Sequence, residues 1–240
     1  MNTLRRLLFG IWLYGAIAVI GILGAPWFVT SKKGAAKVID VWAAVEVFGA
    51  RHIMGIKIDV RGQEHLPQGA FMIAGKHQCM FDTIAPFTFV EGLSFVLKRE
   101  LAGLPIFGWY AQRGGMIVVD REAQMAAMKH LIREAKDRTA EGRRVLIFPE
   151  GTRQLIGATP DYKPGVAALY TQLGIPCVPM ALDTARLWGP KGLPVRGGVA
   201  TFEFLPVIEP GLKRDAFMAR LESQIETASA ALLAEKGIPL

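Results

Sequence analysis

A histidine and an aspartate stand five positions apart in "AGKHQCMFDTIAP", residues 74–86, directly after an apolar run. An extended chain would hold His77 and Asp82 about 16 Å apart, and a continuous helix would turn them about 140° away from each other. They meet only if the chain folds sharply between a strand and a following helix. Asp82 would then orient the imidazole, whose other nitrogen takes a proton from a hydroxyl. The pattern is a catalytic triad without its serine, so the substrate would supply the hydroxyl.

The same stretch allows a structural interpretation, in which His77 hydrogen-bonds in the core and Asp82 caps a helix beginning near Thr83. Cys79, which lies between them, could be proposed as a nucleophile of the protein itself. A small buried thiol is the favoured interpretation, because no histidine other than His77 lies near it in sequence. Lys76 adds a cation directly before the histidine. We expect this cation to influence the electrostatics of the site.

The segment "VLIFPEGTR", residues 145–153, carries a second group of candidate site residues. A buried strand is predicted to end near Pro149, and Gly151 would let backbone amides approach a ligand closely. Arg153 supplies a fork-shaped cation suited to a phosphate. The alternative is that Glu150 and Arg153 merely pair with each other, which at the surface contributes about 0–1 kcal/mol.

Cations follow two further predicted strands in the same way: Lys98, Arg99 and Arg113 in residues 96–115, and Arg121 in residues 116–122. Any one of them would usually be a solvated charge. Several at the ends of neighbouring strands predict an anion pocket beside His77, because ligands of such sheets bind where the loops converge.

Short apolar runs alternate with longer mixed segments from residue 56 onward. The predicted strands are residues 56–60, 71–74, 93–97, 116–119, 145–148, 177–182 and 199–204. Helical periodicity appears in residues 122–140, where Met125 and Met128 are expected in the core, and in residues 214–236. This alternation predicts an α/β fold with a mixed, largely buried sheet flanked by helices.

Composition narrows the class of partner. The chain is 51% hydrophobic with a formal charge of +7, which suggests a partner that is both apolar and anionic. We find no zinc spacing and no interleaved basic and aromatic pattern, so a nucleic-acid partner is not expected. The two cysteines lie far apart and indicate neither a disulfide framework nor a zinc site.

The amino end is predicted to associate with a membrane. Residues 7–29 carry no charge and, as a helix, are long enough to cross a hydrocarbon core of about 30 Å. A cleaved signal peptide is one alternative, although no clear small-x-small site follows. Because Gly24 with Pro26 would break the helix and residues 34–50 are again mostly apolar, a helical pair in one leaflet is favoured over a spanning helix. We therefore divide the chain into a membrane-associating helical segment, residues 1–54, and an α/β domain, residues 55–240.

Four ordered blocks resemble those of the glycerolipid acyltransferases. They are "KHQCMFD", which resembles the H-x4-D block, "KRELAGLPIFGW" with "GGMIVVDR", then "FPEGTR", and finally "GIPCVPMAL". The similarity is greatest to the bacterial 1-acyl-glycerol-3-phosphate acyltransferases and extends over residues 74–182. A lone H-x4-D is a weak signal, but four blocks in the order of the family are specific.

The resemblance implies that His77 deprotonates the free hydroxyl of a lysophosphatidic acid for attack on an acyl thioester, and that Asp82 orients it. It further implies substrate-binding roles for Lys98, Arg121, Glu150, Gly151, Thr152 and Arg153, with Pro179 in a wall of the pocket. The cations would hold the acceptor phosphate. Lys76, Cys79 and Gln154 depart from residues common in the family. The added cation of Lys76 would influence the base or contact the phosphates of the acyl donor.

The implied partners are a lysophospholipid, an acyl thioester carried by coenzyme A or acyl-carrier protein, and the membrane. No cofactor or metal is expected, because a thioester is already activated. The expected location is the cytoplasmic face of the inner membrane. Other hypotheses are acylation of glycerol 3-phosphate or another lysolipid, a lipid phosphohydrolase, and a non-catalytic adaptor that binds acidic lipids.

Overall fold

The amino-terminal apolar run breaks at the predicted glycine and proline. The computed structural model describes residues 3–120 and 123–238, and in it helix α1 (Thr3–Leu23) ends before Gly24. Pro26 lies in the first turn of the short helix α2 (Ala25–Thr30), where its missing N–H has no helical partner to lose. Ser31 then caps α3 (Lys32–Gly49), since its side chain accepts a hydrogen bond from the Gly34 amide at 2.8 Å.

Helices α1 and α3 form an antiparallel pair. The indole N–H of Trp12 donates to the Val45 carbonyl at 3.1 Å. A Cβ at position 49 would lie 2.2 Å from the Trp12 ring, so only glycine permits this approach. By length and composition α1 is a candidate membrane span, and only 17% of its most apolar window is buried within the protein. The outward apolar face weakly suggests membrane association.

The rest of the described chain alternates strands and helices. The strands are β1 (Ile56–Arg61), β2 (Met72–Gly75), β3 (Leu93–Lys98), β4 (Ile117–Val119), β5 (Arg144–Ile147), β6 (Cys177–Leu182) and β7 (Gly198–Phe204). The helices are α4 (Phe81–Ile84), α5 (Arg99–Ala102), α6 (Phe107–Arg113), α7 (Gln124–Ala140), α8 (Gly165–Leu173) and α9 (Arg214–Ala234). A π-helical turn (Ala50–Met54) joins α3 to β1, and 3-10 turns cover Gln63–His65, Ala85–Thr88 and Thr184–Arg186.

Within the described residues, the strands form one seven-stranded sheet in the order β1-β7-β6-β2-β5-β3-β4. Strands β4, β3, β5, β2 and β6 run parallel, β7 is antiparallel to β6, and β1 is parallel to β7. The predicted mixed α/β sheet is therefore confirmed. Because the carboxyl ends of parallel strands meet at one edge, the segments after β2, β5, β3 and β6 converge there.

The two faces of the sheet have separate hydrophobic cores. Ile73 faces the first cluster, which includes Phe9 of α1 together with Trp188, and their rings make an edge contact at 5.5 Å. Ala74 faces the second cluster, beneath α7, α8 and α9. The amino-terminal helices thus share a core with the α/β part of the chain. The predicted core position of Met125 is wrong, because this side chain is 80% exposed.

Candidate active site

The turn after β2 brings His77 and Asp82 together. Strand β2 ends at Gly75 and α4 begins at Phe81, so the intervening segment reverses direction within five residues. His77 Nδ1 lies 3.1 Å from Asp82 Oδ2. The predicted strand-to-helix turn is confirmed. Asp82 lies inside the first turn of α4 rather than at its amino cap.

The Asp82 carboxylate is fully buried and accepts hydrogen bonds from several donors. The amides of Gln78 and Cys79 donate to Oδ2 at 2.5 and 2.7 Å, and the Thr184 hydroxyl donates to Oδ1 at 2.6 Å. A buried carboxylate is costly unless such donors replace its water. These bonds compensate the burial and fix the orientation of the group that holds the His77 ring.

The loop after β5 supports His77 from the other side. The imidazole stacks on Phe148, with ring centroids 4.1 Å apart and an interplanar angle of 19°. The His77 amide donates to Glu150 Oε2 at 3.0 Å, and its carbonyl accepts from the Gln154 amide at 2.8 Å. Among the described residues, Nε2 has no hydrogen-bond partner. Asp82 therefore holds the ring through Nδ1, and Phe148 holds it by stacking on its face. Nε2 is left available to a substrate.

The predicted phosphate-binding loop turns at Gly151, whose φ of +69° is accessible to glycine at little cost. The exposed Thr152 hydroxyl accepts from the Gln154 side chain at 3.2 Å. Arg153 is half-buried and donates to the Pro190 carbonyl at 3.0 Å, while Glu150 pairs with Lys76. The alternative in which Glu150 and Arg153 pair with each other is wrong.

The other predicted cations have different surroundings. Lys98 is exposed at the carboxyl end of β3, one strand beyond β5 from the His77 turn. Arg99 pairs with Asp120 at 2.6 Å. Arg113 donates to the Phe28 and Val29 carbonyls, so it anchors α2 instead of lining an anion pocket. Arg121 lies outside the described residues.

Pro179 occupies the centre of β6, paired with Ala74 of β2. Strand alternation places it on the same face as Cys177 and Ala181 of the second cluster. His77, in contrast, stacks on Phe148 of the first cluster. The predicted place of Pro179 in a pocket wall beside His77 therefore gains no support from the register and stays a prediction.

Cys79 packs as a buried thiol, as predicted. Its side chain has no exposed surface. Burial raises the pKa of the Cys79 thiol well above its usual value, and the charge of Asp82 adds to the effect. The thiolate that a nucleophile requires is thus disfavoured.

Thr184 and Gln78 are site residues that sequence reasoning missed. Gln78 accepts from the Ala185 amide at 2.8 Å, next to the bond from Thr184 to Asp82. The signal was present, because Thr184 lies two positions after β6, which ends at the same edge of the sheet as β2. Ligands of such sheets bind where the segments after the strands converge, so a site residue could have been predicted after β6 as well.

The arrangement is suited to general-base catalysis. A buried carboxylate orients one imidazole nitrogen and leaves the other to accept a proton from a hydroxyl. Across the described positions, no group of three or more His, Cys, Asp or Glu side chains is placed to hold a metal ion.

Two acyltransferases are similar to this chain in sequence. The chain is 36% identical over 155 residues to a 1-acyl-sn-glycerol-3-phosphate acyltransferase of Pseudomonas aeruginosa, a match that covers 65% of this chain and 60% of that protein. It is 28% identical over 136 residues to the human 1-acyl-sn-glycerol-3-phosphate acyltransferase alpha, covering 56% of this chain and 48% of the relative. The matches thus span about half to three fifths of these relatives.

A solved structure shares the fold. The crystal structure of the 1-acyl-sn-glycerophosphate (LPA) acyltransferase PlsC from Thermotoga maritima superposes with a TM-score of 0.81, covering 98% of each chain at 20% identity. The family model described as Acyltransferase matches residues 57–183, which is more than half of the 240 residues and includes the His77 turn and the 149–154 loop. The chain belongs to the acyltransferase family.

Proposed function

We propose that the protein is a 1-acylglycerol-3-phosphate O-acyltransferase, which moves an acyl group from a thioester to 1-acyl-glycerol 3-phosphate and forms phosphatidic acid for phospholipid biosynthesis. The observation that carries the proposal is the His77–Asp82 pair at 3.1 Å, in a chain of the acyltransferase family. The names of the Pseudomonas and human relatives support lysophosphatidic acid as the acceptor.

His77 acts as the general base in this proposal. As the acceptor oxygen attacks the thioester carbonyl, its proton passes to Nε2, and Asp82 stabilises the resulting imidazolium. The tetrahedral intermediate then collapses, the carbon–sulfur bond breaks, and the imidazolium returns the proton to the departing thiolate. The products are an ester and a free thiol, and no cofactor takes part.

The acceptor phosphate would be bound by a set of cations. Arg153 supplies a fork-shaped donor from the loop that backs His77, and Lys98 and Arg121 complete the proposed set. Lys98 has no ion-pair partner within the described residues and is exposed. Glu150, Gly151 and Thr152 would shape the site near the reacting carbonyl.

The acyl donor would be acyl-CoA or acyl-carrier protein. Both carriers are soluble in the cytoplasm, whereas the acceptor is a lipid, so the enzyme would work at the cytoplasmic face of the inner membrane. The exposed apolar face of α1 would lie in one leaflet beside its partner α3. Outward side chains such as Leu7, Ile11 and Ile22, each at least 60% exposed, would enter the bilayer.

A thiol-release assay over a panel of acceptors and donors tests the proposal. With lysophosphatidic acid as the acceptor, the acyl thioester should release free thiol, and phosphatidic acid should form in an equal amount, identified by mass spectrometry. Acyl-CoA and acyl-carrier protein are each tested as the donor. Faster turnover of glycerol 3-phosphate or another lysolipid would change the acceptor but keep the chemistry. Release of inorganic phosphate without loss of thioester would instead indicate a phosphohydrolase, and lipid binding without either reaction an adaptor.

A further inference from the structure

Lys76 is buried on the face of the sheet opposite His77. The residue is 6% exposed and follows β2 directly, so alternation turns its side chain toward α9. Its Nζ lies 2.6 and 2.7 Å from the two carboxylate oxygens of Glu226 on α9. A buried ammonium is costly unless it is paired. The Lys76 ammonium is therefore paired inside the protein and does not lie free to contact a donor phosphate.

The same ammonium contacts the carboxylate that holds the His77 backbone. Lys76 Nζ lies 3.0 Å from Glu150 Oε1, as an ion pair. The second oxygen, Glu150 Oε2, accepts from the His77 amide at 3.0 Å. Burial raises the pKa of Glu150, while the His77 amide and the Lys76 charge act in the opposite direction. The charge of Lys76 thus favours the ionised form of the Glu150 carboxylate, which accepts the hydrogen bond from the His77 amide.

A tyrosine completes the chain of contacts. The Tyr162 hydroxyl donates to Glu226 Oε1 at 2.8 Å. Tyr162 lies in the segment between the 149–154 loop and α8, and it is itself buried. A continuous path therefore runs from Tyr162 through Glu226, Lys76 and Glu150 to the His77 amide.

We propose that Lys76 and Glu226 are positioning residues, through which helix α9 fixes the Glu150 carboxylate and thereby the place of His77. The inference rests on the proposed function, because it assigns the path to the placement of the general base. This proposal gives α9 a role in placing the general base, although the helix lies after the four sequence blocks that resemble those of the family. A structural role alone would lower stability without changing the turnover of the folded enzyme.

The test compares Lys76→Met, Glu226→Gln and the double variant with a matched control, Glu222→Gln. Glu222 is an exposed residue one turn earlier on α9, so the control removes the same charge from the same helix. We expect kcat to fall about 10- to 100-fold in Lys76→Met, with KM changed less than about threefold, because misplacement of a catalytic group acts on the chemical step. Glu226→Gln should lower kcat about three- to tenfold, and Glu222→Gln should leave it unchanged.

The double variant separates one path from two independent effects. If both residues act through Glu150, its kcat should equal that of Lys76→Met alone and should not be the product of the two losses. Unchanged kcat in folded Lys76→Met and Glu226→Gln, or losses that multiply, would overturn the inference. Glu226→Gln is nearly isosteric and keeps the test valid if Lys76→Met fails to fold.

Hydrogen exchange gives a readout that does not depend on acyl transfer. Loss of Lys76 should speed exchange of the His77 amide in peptides covering residues 74–82, since its acceptor is no longer held, and Glu222→Gln should not. Unchanged protection in Lys76→Met would contradict the inference even in an active enzyme. If Lys76→Met shows the exchange effect but the wild-type protein forms no phosphatidic acid, the proposed function is contradicted and the path is not.

Discussion

At the scale of residues, the site depends on a carboxylate that is fixed before any substrate arrives. Asp82 has no exposed surface, and its oxygens accept from backbone amides, the Thr184 hydroxyl, the Cys79 thiol and the His77 ring. Such preorganisation costs no rearrangement during the reaction. The Asp82 contacts therefore predict large effects from small changes.

Replacement of Asp82 by Asn should lower kcat by about 10²–10⁴-fold, because an amide no longer stabilises the imidazolium and presents a donor to the amides of Gln78 and Cys79. Steady-state thiol release, with circular dichroism to confirm folding, measures the effect. A folded Asp82→Asn enzyme within about threefold of wild type would be incompatible with the proposed role.

Thr184→Val should lower kcat about tenfold, since it removes one donor from Asp82 while keeping the shape of the side chain. Thr184→Ser retains the hydroxyl and serves as the control, with activity near that of the wild type. Equal activity in the Val and Ser variants would show that this hydrogen bond does not contribute.

Cys79→Ala should retain activity within about threefold and lower the free energy of unfolding by about 1–2 kcal/mol, because the thiol packs in the core and its Sγ lies 3.4 Å from Asp82 Oδ1, whereas the Thr184 hydroxyl lies at 2.6 Å. The measurements are thiol release and denaturant unfolding. Complete loss of turnover in the folded variant would return Cys79 to consideration as a nucleophile.

The meeting of His77 and Asp82 could be predicted because their spacing fits no regular element and so requires a turn. The partner of Lys76 could not, because Glu226 lies 150 positions away and is brought close only by the packing of α9 on the sheet. Long-range ion pairs leave no local pattern in a sequence. The role of Lys76 therefore had to come from the structure.

At the scale of elements, helix α3 contains a buried carboxyl group, Glu46, that is only partly hydrogen-bonded. Glu46 is 1% exposed, one of its oxygens accepts from the Trp42 indole at 2.9 Å, and within the described chain the other has no partner. Burial raises the pKa of Glu46 to about 8, and the Trp42 hydrogen bond acts in the opposite direction. The folded protein therefore keeps a proton that the unfolded chain releases above about pH 4.5.

Because of this proton, the contribution of Glu46 to the stability of the wild type should fall as the pH rises from about 4.5 to about 8. Glu46→Gln removes the titration, so its Tm should exceed that of the wild type by a margin that grows across this window. Melting curves in detergent at several pH values measure the margin. A margin that stays constant with pH would contradict a neutral Glu46.

Sequence predicted the elements better than their arrangement. All seven predicted strands occur, with ends displaced by at most one residue, because Val, Ile and Phe runs bounded by Gly, Pro or charge mark buried strands. The strand order and the reversal at β7 were not predicted, since pairing depends on contacts between distant segments. The exposure of Met125 was missed for the same reason.

At the scale of the whole molecule, helices α1 and α3 share one of the two hydrophobic cores of the sheet. Phe9 of α1 contacts Trp188, and the Tyr110 hydroxyl donates to the Gly21 carbonyl at 2.7 Å. A membrane that holds α1 would therefore also set the orientation of the edge of the sheet that carries His77. This coupling would suit the proposed reaction, in which the acceptor would stay in the bilayer.

The combined variant Leu7→Gln, Ile11→Gln and Ile22→Gln should reduce binding to anionic vesicles at least tenfold, because each exposed side chain would contribute about 1.5–3 kcal/mol on burial in lipid. Co-sedimentation measures binding. Val195→Gln, at a half-exposed apolar position in the α/β part, is the control and should bind like the wild type. Equal binding of the triple variant would show that α1 does not carry the membrane contact.

The most direct test of the central claim is acyl transfer by the wild type and by His77→Ala, followed through both products. The wild-type protein, given an acyl thioester and lysophosphatidic acid, should release free thiol and form phosphatidic acid in equal amounts. His77→Ala should form neither while keeping the circular dichroism and Tm of a folded protein. Undiminished formation of phosphatidic acid by folded His77→Ala would contradict the assignment of His77 as the general base.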